Sequence, residues 1–229
     1  MPAPTLMPAQ AGDDVAAAKA ALRTRVRARR RAQDPGVRAA EAEAAAAHLM
    51  GWLGPRLAAA AAQGGGRPTV ATVLPMPTEP DTGPLRARLH AAGARILVPV
   101  IAPERGLLWT PWTPGVPVAR ARLAPVDEPV GPRLGPESLA GAVALVLPGL
   151  AVDGAGMRLG QGGGYYDRLL AGMDAAVPRI AHVFSHEVFP AGAVPTEATD
   201  APVDAVVTAA GLHWFGGGHL GSGDGAGAE

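Results

Sequence analysis

One stretch holds most of the residue types that could do chemistry: Arg158-Leu159-Gly160-Gln161-Gly162-Gly163-Gly164-Tyr165-Tyr166-Asp167-Arg168. Four glycines fall within five positions from Gly160 to Gly164, so the backbone can turn sharply there and approach a ligand with no side chain in the way. Arg158 and Arg168 flank the turn, two tyrosines follow it, and Asp167 offers the hard carboxylate oxygen that magnesium takes. An apolar run at 143–147, closed by Pro148-Gly149, reads as a buried strand before the turn, and 165–170 reads as the first turns of a helix after it. Strand, long loop, glycine turn and helix together make a seat for a phosphate group, whose oxygens would meet free N–H groups at the helix start. The common phosphate-loop patterns do not apply. No Lys-Ser or Lys-Thr pair follows the glycines, and the dinucleotide-binding spacing would put its last glycine at Tyr165.

The elements that must position this stretch can be read from both sides of it. Asp13 or Asp14 is expected to cap a first helix running to about Gln33, with Val15, Ala18, Leu22 and Val26 as its apolar stripe. Lys19, Arg23 and Arg27 are four apart and share another face. The run Arg25, Arg27, Arg29, Arg30, Arg31 reads first as a solvated helix face; a nucleic-acid patch is the alternative, against which stand the balanced charge and the lack of interleaved aromatics. Asp34-Pro35 opens a second helix with proline in its first turn. It carries Leu49, Trp52 and Leu53 inward, is ended or kinked by Pro55, and is continued in pattern by Leu57. A strand is expected at 69–74. Beyond its C-terminal end, where ligands gather in open parallel sheets, lies Pro75-Met76-Pro77-Thr78-Glu79-Pro80-Asp81-Thr82. Glu79 is placed to reach in, while Asp81 caps a helix at 84–92 that Gly93 ends. Further strands are expected at 95–100, 107–112 and 179–184, and 113–136 is proline-rich and irregular. His186-Glu187 invites a zinc-hydrolase reading, but that pattern needs a second histidine at position 190, which is proline. Strands alternating with helices predict an α/β fold with a mostly parallel sheet.

Composition bounds the function. The 229 residues suffice for one domain with a full core or two small ones. Formal net charge is zero, so no global field draws nucleic acid or membranes. Cysteine is absent, which removes disulfides, thiolate metal sites and cysteine nucleophiles. With no signal peptide and no apolar run of about 18 residues in the sequence, a cytoplasmic protein without a membrane span is expected. Residues 1–12 and the Gly-rich 216–229 are expected to be disordered around a domain at 13–215.

Leu147-Pro148-Gly149-Leu150-Ala151-Val152-Asp153, a short gap, and then 158–168 resemble the 5-formyltetrahydrofolate cyclo-ligase family, whose members are also called 5,10-methenyltetrahydrofolate synthetases. Further pieces follow the family order from Lys19 to Val207, among them Pro195, Glu197, Asp200 and Asp204. The resemblance implies a single domain with an open, mostly parallel sheet flanked by helices, like the NagB/RpiA/CoA-transferase folds, and a cleft with ATP on one side and folate on the other. It implies that ATP phosphorylates the formyl oxygen of 5-formyltetrahydrofolate, that folate nitrogen 10 closes the ring, and that 5,10-methenyltetrahydrofolate, ADP and phosphate result, with magnesium required. By resemblance, ATP is held by Lys19, Arg23, Arg158, Leu159, Gly160, Gln161, Gly162, Gly163, Gly164, Tyr165 and Tyr166. The folate is held by Leu74, Glu79, Gln161, Gly162, Gly163, Gly164 and Tyr165. Lys19, Arg158 and Tyr165 are the expected catalytic residues, and Asp167 and Asp204 the expected magnesium carboxylates. An aromatic residue near the pterin would be Trp109 or Trp112, although core packing suits either. Gly163 stands where relatives carry Lys, and Glu187 where many carry Gln. The expected partners are small molecules, with no nucleic acid and no membrane, and the chain is expected to be a monomer. A folate-binding relative without catalysis is the second reading, and an RNA-binding protein using residues 25–31 is the third.

Overall fold

A computed structural model of the chain describes residues 9–123 and 126–216. Residues 1–8 and 217–229, most of the two segments expected to be disordered, lie outside the described residues. Helix α1 (Ala9–Ala32) begins ahead of the expected start, so Asp13 and Asp14 lie within it rather than capping it. Its buried face is Lys19, Leu22, Val26 and Arg30, a single stripe at helical spacing, while Ala18 is exposed. Helix α2 (Pro35–Ala62) starts as expected: Asp34 Oδ1 accepts N–H from Gly36 at 2.7 Å and Val37 at 3.1 Å, satisfying two orphan donors. Pro55 does not end it. Gly51, whose carbonyl the Pro55 ring deprives of its partner, is exposed to water, and Leu49, Leu53 and Leu57 bury one stripe straight across the proline.

The remaining elements are β1 (Thr69–Ala71), α3 (Gly83–Ala91), β2 (Arg95–Ile101), β3 (Leu107–Trp112), β4 (Val118–Arg120), β5 (Asp127–Pro129), β6 (Ala144–Pro148), β7 (Ala151–Asp153), β8 (Arg158–Leu159), α4 (Tyr165–Ala171), β9 (Arg179–His182), β10 (Val188–Phe189), β11 (Ala205–Thr208) and β12 (Gly211–Trp214). The main sheet runs β12-β11-β9-β6-β1-β2-β3. Its five inner strands are parallel, and β3 and β12 are antiparallel edges. The expected mixed α/β architecture is therefore the observed one, with β12 unanticipated. Two smaller sheets are β10-β7-β8 and β4-β5.

One face of the main sheet, through Val70, Val98, Val146 and Val207, packs on Leu49, Leu53 and Leu57 of α2 and Leu85 and Leu89 of α3. The other face, through Leu97, Leu145, Leu147 and Ala181, packs on Trp109, Leu139 and Leu170. Trp109 is fully buried, and Trp112 packs half-buried at the edge of the first cluster, so both tryptophans serve packing. Residues on α1 form a separate cluster, Leu22 and Val26 against Leu150, Leu159 and Val194, which seats that helix over the β7–β8 hairpin rather than on the main sheet.

Candidate active site

The C-terminal ends of β1, β6 and β9 point the same way, because these strands are parallel. Chain segments leaving those ends supply the cleft. The loop after β1 brings Glu79, the segment after β6 brings the β7–β8 hairpin and the glycine turn, and β9 ends at His182. Glu79, Val73, Thr82, Leu147, Pro148 and His182 line a small cavity there.

The glycine turn is built for close approach. Gly162 and Gly164 have φ of +105° and +68°, left-handed values that an L side chain adopts only at a cost. Gly163 has no such backbone requirement; a Cβ on it would stand 2.6 Å from the Tyr165 ring. No backbone N–H from Gly160 to Gly164 donates to a protein acceptor among the described residues. Helix α4 is only seven residues long, so the anion-attracting groups are these loop amides and the side chains around them rather than a helix terminus.

Helix α1 crosses the turn and brings two of its three evenly spaced cations, Arg23 and Arg27, onto it, and the third, Lys19, onto the 197–200 loop. Arg23 Nε donates to the Gly160 carbonyl at 2.9 Å. Arg27 donates to the Gln161 carbonyl at 3.0 Å and to its side-chain oxygen at 2.7 Å. Lys19 Nζ donates to Asp200 at 2.6 Å and Glu197 at 2.9 Å. Burial opposes the Lys19 charge, but the two carboxylates outweigh it and raise its pKa above the usual lysine value. Burial, and then the Arg27 charge, depress the Arg23 pKa, against the pull of Asp200, Glu197 and Asp167. Arg23 thus feels carboxylates from the 197–200 loop and from helix α4.

The loop holding Glu197 and Asp200 is anchored from beneath. Asp153, fully buried at the end of β7, accepts N–H from Ala155 at 3.0 Å, Met157 at 3.1 Å, Gly192 at 3.0 Å and Val194 at 3.2 Å. Four N–H donors satisfy both oxygens of this buried carboxylate.

Arg158 is buried, donates to Asp167 Oδ1 at 2.9 Å and to the Pro148 carbonyl at 3.3 Å, and lies over the Tyr166 ring at 5.7 Å. Burial and then the Glu79 charge push the Tyr166 phenol up, with Arg158 opposing, so it is a neutral donor at ordinary pH. Glu79 accepts N–H from Met76 at 3.0 Å and from the Gln161 amide at 2.9 Å. Leu74 is half-buried past the end of β1. The Leu159 side chain is buried in the α1 cluster, leaving only its backbone to face a ligand.

Asp204 is not brought to Asp167. It sits at the start of β11, where its Oδ2 accepts the Arg179 N–H at 2.8 Å and its main chain bonds Arg179 and Phe215. Arg179 is level with Leu145 at the beginning of β6, whereas Asp167 is tied through Arg158 to Pro148 at its end, roughly 10 Å of strand away. Strand direction is the reason: Asp204 belongs to the opposite end of the sheet. Asp200, four residues earlier, lies on the site side at Lys19. Among the described residues no group of three or more His, Asp or Glu side chains could hold a metal on its own.

In the arginine run Arg25, Arg29 and Arg31 are exposed, as a solvated face requires, but Arg27 and Arg30 are not. Arg30 is fully buried, donating to both oxygens of fully buried Glu187 at 2.6 and 2.7 Å and to the Gly149 carbonyl at 2.6 Å. Glu187, the position set aside with the zinc pattern, is the counter-ion that seats α1. Sequence reasoning also passed over His182 and the Arg27 contact. The spacing of Arg27 from Lys19 and Arg23 was the available signal for the latter.

Sequence comparison places these residues in a known context. The model of the 5-formyltetrahydrofolate cyclo-ligase family matches residues 15–209. The chain is 36% identical over 196 residues to the 5-formyltetrahydrofolate cyclo-ligase of Mycolicibacterium smegmatis, covering 83% of this chain and 93% of that protein. It is 34% identical over 142 residues to that of Escherichia coli, covering 61% and 77%. The solved structure of Aquifex aeolicus 5,10-methenyltetrahydrofolate synthetase superposes with a TM-score of 0.66 at 25% identity, over 90% of this chain and 97% of that one. That of the Mycoplasma pneumoniae synthetase, at 18% identity and a TM-score of 0.64 over 83% and 98%, shares the fold. A family match that spans the helix α1 cations, the glycine turn and the 197–200 loop alike establishes that the chain belongs to the 5-formyltetrahydrofolate cyclo-ligase family.

Proposed function

We propose that this chain uses ATP and magnesium to convert 5-formyltetrahydrofolate to 5,10-methenyltetrahydrofolate, releasing ADP and phosphate. The observation that carries the reading is a glycine turn whose amides meet no protein acceptor among the described residues, gripped by Arg23, with Lys19 beside it, paired to the 197–200 loop, and Glu79 tied to it through Gln161. A formamide carbonyl is a poor electrophile and oxide a poor leaving group. Transfer of the terminal phosphoryl group of ATP to the formyl oxygen solves both: nitrogen 10 then adds to the activated carbon, and the C–O bond breaks to release phosphate.

Phosphoryl transfer asks a protein mainly for positioning and charge stabilisation. Arg23 and Lys19 supply charge to the triphosphate, Lys19 shared with Asp200 and Glu197. Amides of 160–164 meet phosphoryl oxygens, with Tyr165 beside them and Tyr166 donating as a neutral phenol. Arg158, buried behind Asp167, is suited to orient that carboxylate rather than to touch a phosphate. Glu79 and the backbone at Leu74 face the folate. The attacking nitrogen belongs to the substrate, so no protein nucleophile is required.

Magnesium usually takes one or two carboxylates together with phosphates and water, and Asp167, partly exposed with one oxygen held by Arg158, suits that. Asp200 on the other side of Arg23 is the better second carboxylate than Asp204. When bound, magnesium would neutralise charge on the phosphates. Action on small molecules as a cytoplasmic monomer completes the reading; the cysteine-free composition fits a reducing compartment. Among the described residues no helix is long and apolar enough to cross a membrane.

The test is direct: purified protein with ATP, magnesium and 5-formyltetrahydrofolate should develop the near-ultraviolet absorbance of the methenyl product. Folded protein that binds the folate but releases no ADP would instead be a non-catalytic relative. Asp167→Asn should lower magnesium-dependent turnover about a hundredfold or more in a chain that still folds, with a lower thermal midpoint because buried Arg158 loses its carboxylate partner; near-normal turnover would remove Asp167 from the metal site.

A further inference from the structure

Gln161 bridges the two sides of the cleft, and a residue outside the expected site controls how it does so. The Arg27 guanidinium forks onto the Gln161 side-chain oxygen, Nε at 3.1 Å and one terminal nitrogen at 2.7 Å, and that same nitrogen donates to the Gln161 main-chain carbonyl at 3.0 Å. The amide nitrogen of the same side chain donates to Glu79 at 2.9 Å, and the other Glu79 oxygen accepts the Met76 N–H. A glutamine amide has one accepting and one donating end of nearly equal size, so shape alone would let it turn either end to Glu79. The wrong end would set its oxygen against a carboxylate and its N–H groups against a guanidinium. With Arg27 in place, only the observed orientation leaves neither clash.

We propose that Arg27 is a positioning residue that orients the Gln161 amide and thereby holds Glu79 for the folate, linking the nucleotide-side helix to the folate side of the cleft. This deepens the proposed function and rests on it. Among the described residues Arg27 has no hydrogen bond to Glu79 itself; its effect on that carboxylate runs through Gln161. One turn away on the same helix, Arg23 holds the Gly160 carbonyl, so the two arginines grip adjacent residues of the glycine turn.

The experiment is steady-state kinetics on the full chain for Arg27→Met, Arg27→Lys, Gln161→Ala and the double variant Arg27→Met/Gln161→Ala, each with its thermal midpoint. Arg27→Met should raise KM for 5-formyltetrahydrofolate about tenfold, the scale of a lost charge-assisted hydrogen bond, with KM for ATP changed less. Arg27→Lys should restore part of the loss. The double variant should be no worse than Gln161→Ala, because both act through one chain of contacts. A folate KM within about twofold of the parent in Arg27→Met, or effects of Arg27→Met and Gln161→Ala that multiply, would overturn the proposal. So would a loss explained wholly by a fall in thermal midpoint. A parent protein with neither turnover nor 5-formyltetrahydrofolate binding would instead overturn the proposed function, and the relay with it.

Discussion

At the scale of single residues, neighbouring glycines in one turn do different jobs. Gly162 is needed for its backbone: at φ +105° any side chain is strained, and Gly162→Ala should cost about 1–3 kcal/mol of stability, read as a lower urea midpoint. Gly163 is needed for its missing side chain. Gly163→Ala should leave stability within about 1 kcal/mol while pushing the Tyr165 ring, 2.6 Å from the new Cβ, out of place, and the loss should appear in KM for ATP. An unchanged KM in folded Gly163→Ala would detach Tyr165 from the nucleotide. Both glycines were legible in the sequence as members of a turn. Which of them answers to φ and which to a neighbouring ring was not, because both facts depend on where the chain goes next.

At the scale of elements, α1 and β9 carry ionisable groups that packing alone would not place there. Helix α1 is docked by the fully buried Arg30–Glu187 pair. Arg30→Met would leave Glu187 buried and unpaired, at a cost of about 3–5 kcal/mol, whereas Arg30→Met/Glu187→Met should recover much of it; denaturant titration of the two variants decides. A single-variant cost under about 1 kcal/mol would mean that the helix is held by Leu22 and Val26 instead. At the end of β9, burial, helped by Arg30, lowers the His182 pKa to about 4. The unfolded chain binds this proton near pH 6.5 and the folded chain does not. Stability therefore falls as pH drops from 6.5 toward 4, by about 2 kcal/mol at pH 5 from this group, and levels off below. His182→Gln should lose that part of the pH dependence between pH 8 and pH 5; an identical dependence in the variant would show that other groups cause it. The elements themselves were largely legible, since Asp34-Pro35, Gly93 and the apolar runs are local signals. Pro55 does not end α2, because apolar contacts on both sides of it outweigh one missing hydrogen bond.

At the scale of the whole molecule, the site lies between parts held by different means. The sheet is clamped between two apolar layers, while α1 and the 194–200 loop meet across Lys19, Asp200 and Glu197. Polar contacts of this kind open at lower free energy than a core. Amides of α1 near Lys19 should exchange hydrogen faster than those of β6, and ATP with magnesium should slow the former selectively, since a ligand bound only to the closed form stabilises it. Equal protection of α1 and β6 by nucleotide would place the binding energy elsewhere.

The amino-acid sequence by itself determined the α/β class, the glycine turn with its flanking cations, the start of α2 and the family. All of these rest on patterns within a few residues or on motifs that survive in order. Tertiary structure alone decided which charge meets which: Lys19 with Asp200, Arg30 with Glu187, Arg27 with Gln161, and Asp204 with the far end of the sheet. Each of the first three joins α1 to a segment more than a hundred residues away. Such partners are chosen by strand order and strand direction, and no local spacing records those.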